Sequence, residues 1–271
     1  MKYVRMTLNY YTIKKFLQLI LVALIPSVAL AMVSTISSIS DFLVNYYTTD
    51  LSSFTAIFTS VTEFRFKNIL YYILTIAIFI VFLSEMFGIV ERDMRVGDFN
   101  LRGFFRRLNN NSLAVSITVV FFMVSILVMG MLSAAFFFLW SVVFGNVLAH
   151  IFSMLTVLIL FSILVFSWVN FFLVIPTMII TGQSILASVR DSIRHIQGIM
   201  KEAIAAIIIP LFPMFLLVYG ERLLNLNIEF FLDIIIYDLL IVYYVVLMLV
   251  IHYEVSGMTR EDLRPSSRFF K

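Results

Sequence analysis

Ionisable and hydrogen-bonding residues are sparse enough in this chain to be weighed one at a time. Glu85 is the only carboxylate well inside the apolar run "LSEMFGIV", and an ionised group in lipid is costly enough to mark an ion or substrate path by default. Its alternative is a place near the membrane surface, within reach of water, Ser84 or an arginine of the following segment. Asp238, with Asp233 and Tyr237 before it, raises the same question in the last apolar run, where solvation near the far interface explains it equally well. Asn170 and Gln18 offer amides for bonds between helices, and Gly130 with Ala134 makes a small-xxx-small pair; packing is the plainer role for all four. Pro210 and Pro213 in "PLFP" break a helical ladder, and carbonyls freed by such a break can line a substrate path.

Other chemistries find no footing. His150, His195 and His252 are far apart in sequence and have no His-x-x-x-His or carboxylate spacing that would hold a metal. There is no Gly-rich phosphate loop, no Gly-x-Ser-x-Gly and no His-Glu-x-x-His. The absence of cysteine rules out disulfides, thiolate metal sites, a cysteine nucleophile and thiol lipidation. No cofactor and no catalytic residue is therefore expected.

The densest cluster of charge is "RVGDFNLRGFFRRLNNN", residues 95–111. At helical spacing Leu101, Phe104, Phe105 and Leu108 share one face, with Arg102, Arg106 and Arg107 off it; Asp98 is a plausible N-cap and Gly97 a turn into it. Binding to single-stranded nucleic acid would require those rings to be free for stacking, whereas here they lie on the membrane-facing side. The segment reads as a short amphipathic elbow on a membrane surface. "GQSILASVRDSIRHIQG" has the same form: Ile185, Leu186, Val189, Ile193 and Ile196 on one face, Arg190, Asp191, Arg194 and His195 opposite, Ser184 as cap, and Gly182 and Gly198 as flanks. Aligning Gly97 with Gly182 also aligns Leu101 with Leu186, as a weak internal repeat would.

The elements that must position these residues are membrane spans. The chain is 62% hydrophobic and 13% charged, with mean hydropathy +1.05, against about a quarter charged in soluble domains. No Asp, Glu, Lys or Arg occurs between Arg107 and Arg190, room for two crossings of roughly 20 residues each. Six spans are expected, near residues 16–36, 69–90, 113–140, 151–181, 203–220 and 234–252. Of the 19 Lys and Arg, all but Arg65, Lys67 and Arg222 fall at the two ends or in the second and fourth loops. By the positive-inside rule both termini are cytoplasmic. The basic start, apolar stretch and "ALA" at Ala29–Ala31 imitate a secretory signal, but the apolar stretch continues past Ala31, so an uncleaved first helix kinked at Pro26 is expected. The first outer loop, about 37–67, should carry a short interfacial helix or turn, with Tyr46 and Tyr47 among headgroups. Gly145 and Asn146 should close a tight hairpin between helices three and four.

The stretch "PTMIITGQSILASVRDSIRHIQG", with Pro176, Gly182, Ser192 and Gly198, resembles a widespread group of prokaryotic six-span proteins. That group includes the membrane domain accompanying some glycerophosphodiester phosphodiesterases, and stand-alone proteins of unassigned function. Where those proteins often carry an acidic residue before the surface helix, this chain has Thr181 and Gln183. The resemblance implies a six-span fold and supplies no catalytic residue. The expectation is a single all-α domain in the plasma membrane of a prokaryote, acting as a non-catalytic accessory or scaffold protein. Its elbows would touch the bilayer, anionic lipid at the cytoplasmic face, or a membrane or cytoplasmic protein partner. The runner-up is a transporter subunit whose 99–109 elbow docks as a coupling helix into a cytoplasmic ATPase; an intramembrane enzyme comes third.

Overall fold

The computed structural model describes residues 1–32, 42, 46, 53–62, 69–224 and 228–263, with backbone alone for 215, 218, 219, 221–224 and 229. All regular structure among them is helical: α1 (Lys2–Tyr10), α2 (Ile13–Ala31), α3 (Phe54–Thr62), α4 (Ile69–Val96), α5 (Phe104–Val143), α6 (Asn146–Phe171), α7 (Val174–Thr181), α8 (Ile185–Gln197), α9 (Met200–Ile208), α10 (Leu211–Leu224), α11 (Glu229–Val255) and a 3₁₀ turn, Glu261–Leu263. Five helices or near-continuous pairs are long and apolar enough to cross a bilayer: α2, α4, α5, α6 with α7, and α11. A sixth crossing follows if α9 and the helix beyond it count with the elbow before them. The molecule is an all-α, multi-pass membrane protein.

Four of the spans, α4, α5, α6 with α7, and α11, extend past their predicted limits because nothing in the sequence stops them, whereas α2 ends at Ala31, short of the expected 36. Between Phe104 and Val143 there is no proline and one glycine, so α5 runs 40 residues, about 60 Å at 1.5 Å per residue. It passes straight through "NNNS": Asn111 is buried and donates to the Ser84 carbonyl at 3.0 Å. The α5–α6 hairpin is tight as predicted, but it turns on Phe144 and Gly145, and Asn146, expected in the turn, opens α6. Two indoles pin it, Trp140 Nε1 donating to Thr156 Oγ1 at 3.0 Å and Trp168 Nε1 to Ser125 Oγ at 2.8 Å.

Two spans are broken, and each break is filled by a neighbour. Pro176 lacks the N–H that would bond the Phe172 carbonyl, and the chain leaves the helix at Phe172–Leu173 between α6 and α7. The buried Ser192 hydroxyl of α8 donates to the Asn170 carbonyl at 2.7 Å and accepts from Leu173 N–H at 3.2 Å. The predicted fifth span is likewise divided at Ile209–Pro210 into α9 and α10. Here the Tyr243 hydroxyl donates to Ala206 O at 2.9 Å and the Tyr244 hydroxyl to Ile207 O at 2.8 Å. These are the carbonyls that Pro210 and the break leave without a helical N–H.

The main core gathers around α11, continuously buried from Val245 to Tyr253 and packed on α1, α2, α4 and α7. A second, smaller core lies near the hairpin, where Ile57, Phe58 and Val61 of α3 meet Ala134 and Phe137 of α5. Gly130 makes this approach possible, since a Cβ there would stand 2.2 Å from the Thr62 methyl. The Gly130–Ala134 pair is thus a packing face. Between α2 and α4, where a short interfacial helix or turn was expected, residues 54–62 form the helix α3. Tyr46, expected among headgroups, is instead buried, edge-on to His150 at 4.7 Å; its neighbour Tyr47 lies outside the described residues, as do Arg65, Lys67 and the last eight residues.

Candidate functional site at the basic end of the bundle

The described parts of the four basic segments meet at one end of the molecule. Residues 2–10, which the sequence marks only as part of a basic start, form α1, which buries Tyr3, Thr7 and Tyr10 against α11 and α9. Lys2 pairs with Glu254 at the end of α11. Thr12 caps α2, accepting from Lys15 N–H at 3.3 Å, and Lys15 then reaches Asp93 of α4 at 2.5 Å while lying over the Tyr10 ring. Burial, with the charge of Asp93 adding to it, pushes the Tyr10 hydroxyl well above its ordinary pKa and keeps it neutral. Beyond α11, the chain turns at Gly257 (φ 65°) and returns to α4. Arg260 grips Asp262 there through two bonds, 2.8 and 3.1 Å long.

At the centre is Glu85, 4% exposed. Arg107 Nε donates to its Oε1 at 2.9 Å, and Arg107 Nη2 binds the same oxygen. The remaining guanidinium protons go to backbone: Nη1 to Asn100 O (3.0 Å) and Arg102 O (2.7 Å), Nη2 to Leu101 O (2.7 Å). All five donors of the guanidinium are occupied. Glu85 Oε2 is buried with no hydrogen-bond partner among the described residues. Gly88 lets the arginine lie this close, because a Cβ there would be 2.5 Å from Arg107 Cδ and 2.8 Å from Asn111 Nδ2.

This arrangement corrects the first elbow. No separate surface helix exists between Gly97 and Asn111: residues 98–103 are an irregular loop, and Phe104 opens α5 itself behind a left-handed Gly103 (φ 92°). Asp98 caps nothing and instead pairs with Arg92 at 2.6 Å. Arg107, expected at the surface, is buried as the bolt that holds the loop down. Leu101 and Phe105 are exposed, Phe105 at 83%, as are Arg102 and Arg106; Phe104 and Leu108 are half-buried. Gly97 and Gly182 do share a geometry, each left-handed (φ 71° and 67°) at a helix end, but helix resumes three residues after Gly182 and only at Phe104 after Gly97.

The second elbow is a helix as expected. Ser188, Ser192 and Ile196 face the protein, because small residues let α8 close on α6 and α7 and because Ser192 is needed at their break. Ile185 and Leu186 are exposed, Leu186 at 83%; Val189 and Ile193 are half-buried, and Arg190 and Arg194 exposed. Ser184 stands at the cap position but accepts no bond from the helix. From α8 the chain turns by 95° into the next helix.

The remaining candidates separate. Asn170 Nδ2 bonds Phe166 O within its own helix. Asp238 is buried rather than solvated, its Oδ1 without a hydrogen-bond partner among the described residues. His195 and His252, distant in sequence, meet edge to face at 6.5 Å, and Thr177 Oγ1 is 3.4 Å from His252 Nδ1.

What the structure assembles from the basic segment is a crevice of about 590 Å³ between the end of α4, the start of α5 and the end of α7. Arg92, Arg95, Arg102, Arg106 and Arg107 line it with Glu91, Asn110 and Asn111, and Ile179 and Ile180 form one wall. From Ile69 to Gly88, α4 rises about 29 Å, close to the ~30 Å hydrocarbon thickness, so the crevice lies about one such thickness along α4 from its start. Sequence reasoning counted Arg92 and Arg95 among the loop charges without seeing this role; their i, i+3 spacing on one helix face was the available signal. A deeper cavity of about 310 Å³ lies between the helices, lined by apolar and aromatic side chains such as Phe87, Phe122, Trp168 and Met248. Comparison of the chain with family models, with curated proteins and with solved structures finds no match.

Proposed function

We propose that this chain is a non-catalytic accessory or scaffold protein of the envelope, held in the plasma membrane of a prokaryote with both termini cytoplasmic, and that its basic end adheres to anionic lipid headgroups. The observation that carries this reading is the placement of α8: nearly perpendicular to the following helix, with Ile185 and Leu186 exposed and Arg190 and Arg194 beside them. Apolar side chains of that kind enter the acyl boundary while arginines meet phosphates. Phe105 and Leu101 offer a second exposed apolar patch on the same end.

The transport alternative calls for a polar cavity at mid-depth joining Glu85, Asn170 or the Pro210 break. Glu85 is closed off by Arg107, the Asn170 amide is used within its helix, and the carbonyls at the Pro210 break are taken by Tyr243 and Tyr244. The deep cavity is apolar. A closed bundle of this kind favours adhesion over conduction. Purification in mild detergent, with mass spectrometry of the co-purifying lipids and proteins, tests the reading. Anionic lipid enriched over its bulk share is expected; a stoichiometric cytoplasmic ATPase would overturn it.

A further inference from the structure

The arginine crevice carries more charge than its own acids neutralise. Arg92 pairs with Asp98 (2.6 Å), Arg95 with Glu91 (2.5 Å) and Arg107 with Glu85. Arg102 and Arg106 line the same crevice, and neither side chain has a carboxylate or hydrogen-bond partner among the described residues. Two positive charges therefore remain, on exposed side chains that border a recess large enough for a small ligand. The first turn of α5 adds to the field. Gly103 and Arg106 both line the crevice, no side chain caps that helix end, and the amides of a helix start favour an anion. A phosphomonoester, with about 1.5 to 2 negative charges at pH 7 and three acceptor oxygens, matches the uncompensated charge; guanidinium forks suit its geometry. The wall of Ile179 and Ile180 gives an apolar side to the mouth.

We propose that the crevice is a discrete binding site for one phosphomonoester group, gripped by Arg102 and Arg106 above the anchored Arg107. The site deepens the headgroup-adhesion reading and rests on it where the phosphate is lipid-borne; a soluble phosphate ester is the other source of the same chemistry.

Native mass spectrometry on the full chain separates the cases, using phosphatidate, phosphatidylglycerol and phosphatidylcholine in turn, and glycerol phosphate in lipid-free detergent. One phosphatidate retained per chain, more tightly than either other lipid, is expected. Arg102→Ala/Arg106→Ala should weaken it roughly 30-fold, from about fivefold per arginine at a membrane surface. Lysine at both positions should recover part of the loss. Arg190→Ala/Arg194→Ala on α8 should leave that first lipid in place. Because Arg102 and Arg106 have no partner to lose, both arginine variants should melt with the wild type, which keeps a loss of binding readable. Anionic preference that survives Arg102→Ala/Arg106→Ala but vanishes with the α8 variant overturns the crevice and leaves headgroup adhesion standing. Equal retention of all three lipids by the wild type overturns headgroup adhesion. If glycerol phosphate then binds and the crevice variant abolishes it, the site stands with a soluble ligand; if it does not bind, the site falls as well.

Discussion

Replacing Arg107 by alanine tests the central joint of the basic end. The substitution takes the partner from the Glu85 carboxyl, which is 4% exposed in the intact joint, and breaking a buried pair from one side costs about 3–5 kcal/mol. The carbonyls of Asn100, Leu101 and Arg102 also lose their donor, but this loop borders solvent and rehydrates, so it adds little. At about 2–4 °C per kcal/mol for a large domain, apparent melting should fall by roughly 6–20 °C, followed in detergent by the fluorescence of Trp140 and Trp168. Trypsin should also cut faster after Arg102 once the loop is released. Removing both charges with Glu85→Leu/Arg107→Met should recover most of the loss, to within about 2 kcal/mol of wild type, because no uncompensated charge stays buried. The reasoning is refuted if Arg107→Ala melts like the wild type and is cut no faster, or if the double variant is as unstable as the single one. The second outcome would mean that side-chain volume, not charge, holds the joint.

Gly88→Ala places a Cβ 2.5 Å from Arg107 Cδ and should cost about 1–3 kcal/mol as overpacking, read as a lowered melting temperature and quicker cleavage at Arg102. Ser192→Ala strips the α6–α7 break of both its bonds. It should destabilise by about 1–3 kcal/mol, with faster hydrogen exchange at Leu173; unchanged exchange there would count against the plug. Tyr243→Phe/Tyr244→Phe frees the Ala206 and Ile207 carbonyls and should loosen α9 from α10, seen as quicker exchange around Ile209 with little change elsewhere. The chain has no cysteine, so Asn110→Cys reports topology cleanly: it should resist an impermeant thiol reagent in intact cells and react once the membrane is opened, and labelling of intact cells would invert the orientation.

Helical class, five of the six expected spans and the gathering of basic charge were legible in the sequence because they depend on local composition. Long apolar runs must form helices in lipid to satisfy their own backbones, and arginine asymmetry is read by counting. Helix α8 was legible because a Ser start, 3.6-residue periodicity and flanking glycines sit in adjacent residues. The N-terminal α1 was missed because its buried face is two tyrosines and a threonine over nine residues, a pattern without the aliphatic signal that marks an amphipathic helix.

The sequence by itself determined an all-α, multi-pass chain with its charge collected in the terminal and even-loop segments. Only the tertiary structure decided what that charge does. Whether residues 97–111 form a separate elbow depended on Glu85, 22 positions before Arg107: a buried carboxylate draws that arginine inward, the arginine fastens Asn100 to Arg102 as a loop, and α5 then begins at Phe104. Which residues α8 turns to the bundle depended on the α6–α7 break, which needs the Ser192 hydroxyl. In both places a buried polar group without a partner costs more than an exposed leucine or phenylalanine beside lipid. Such debts are settled between residues distant in the chain, where periodicity carries no information.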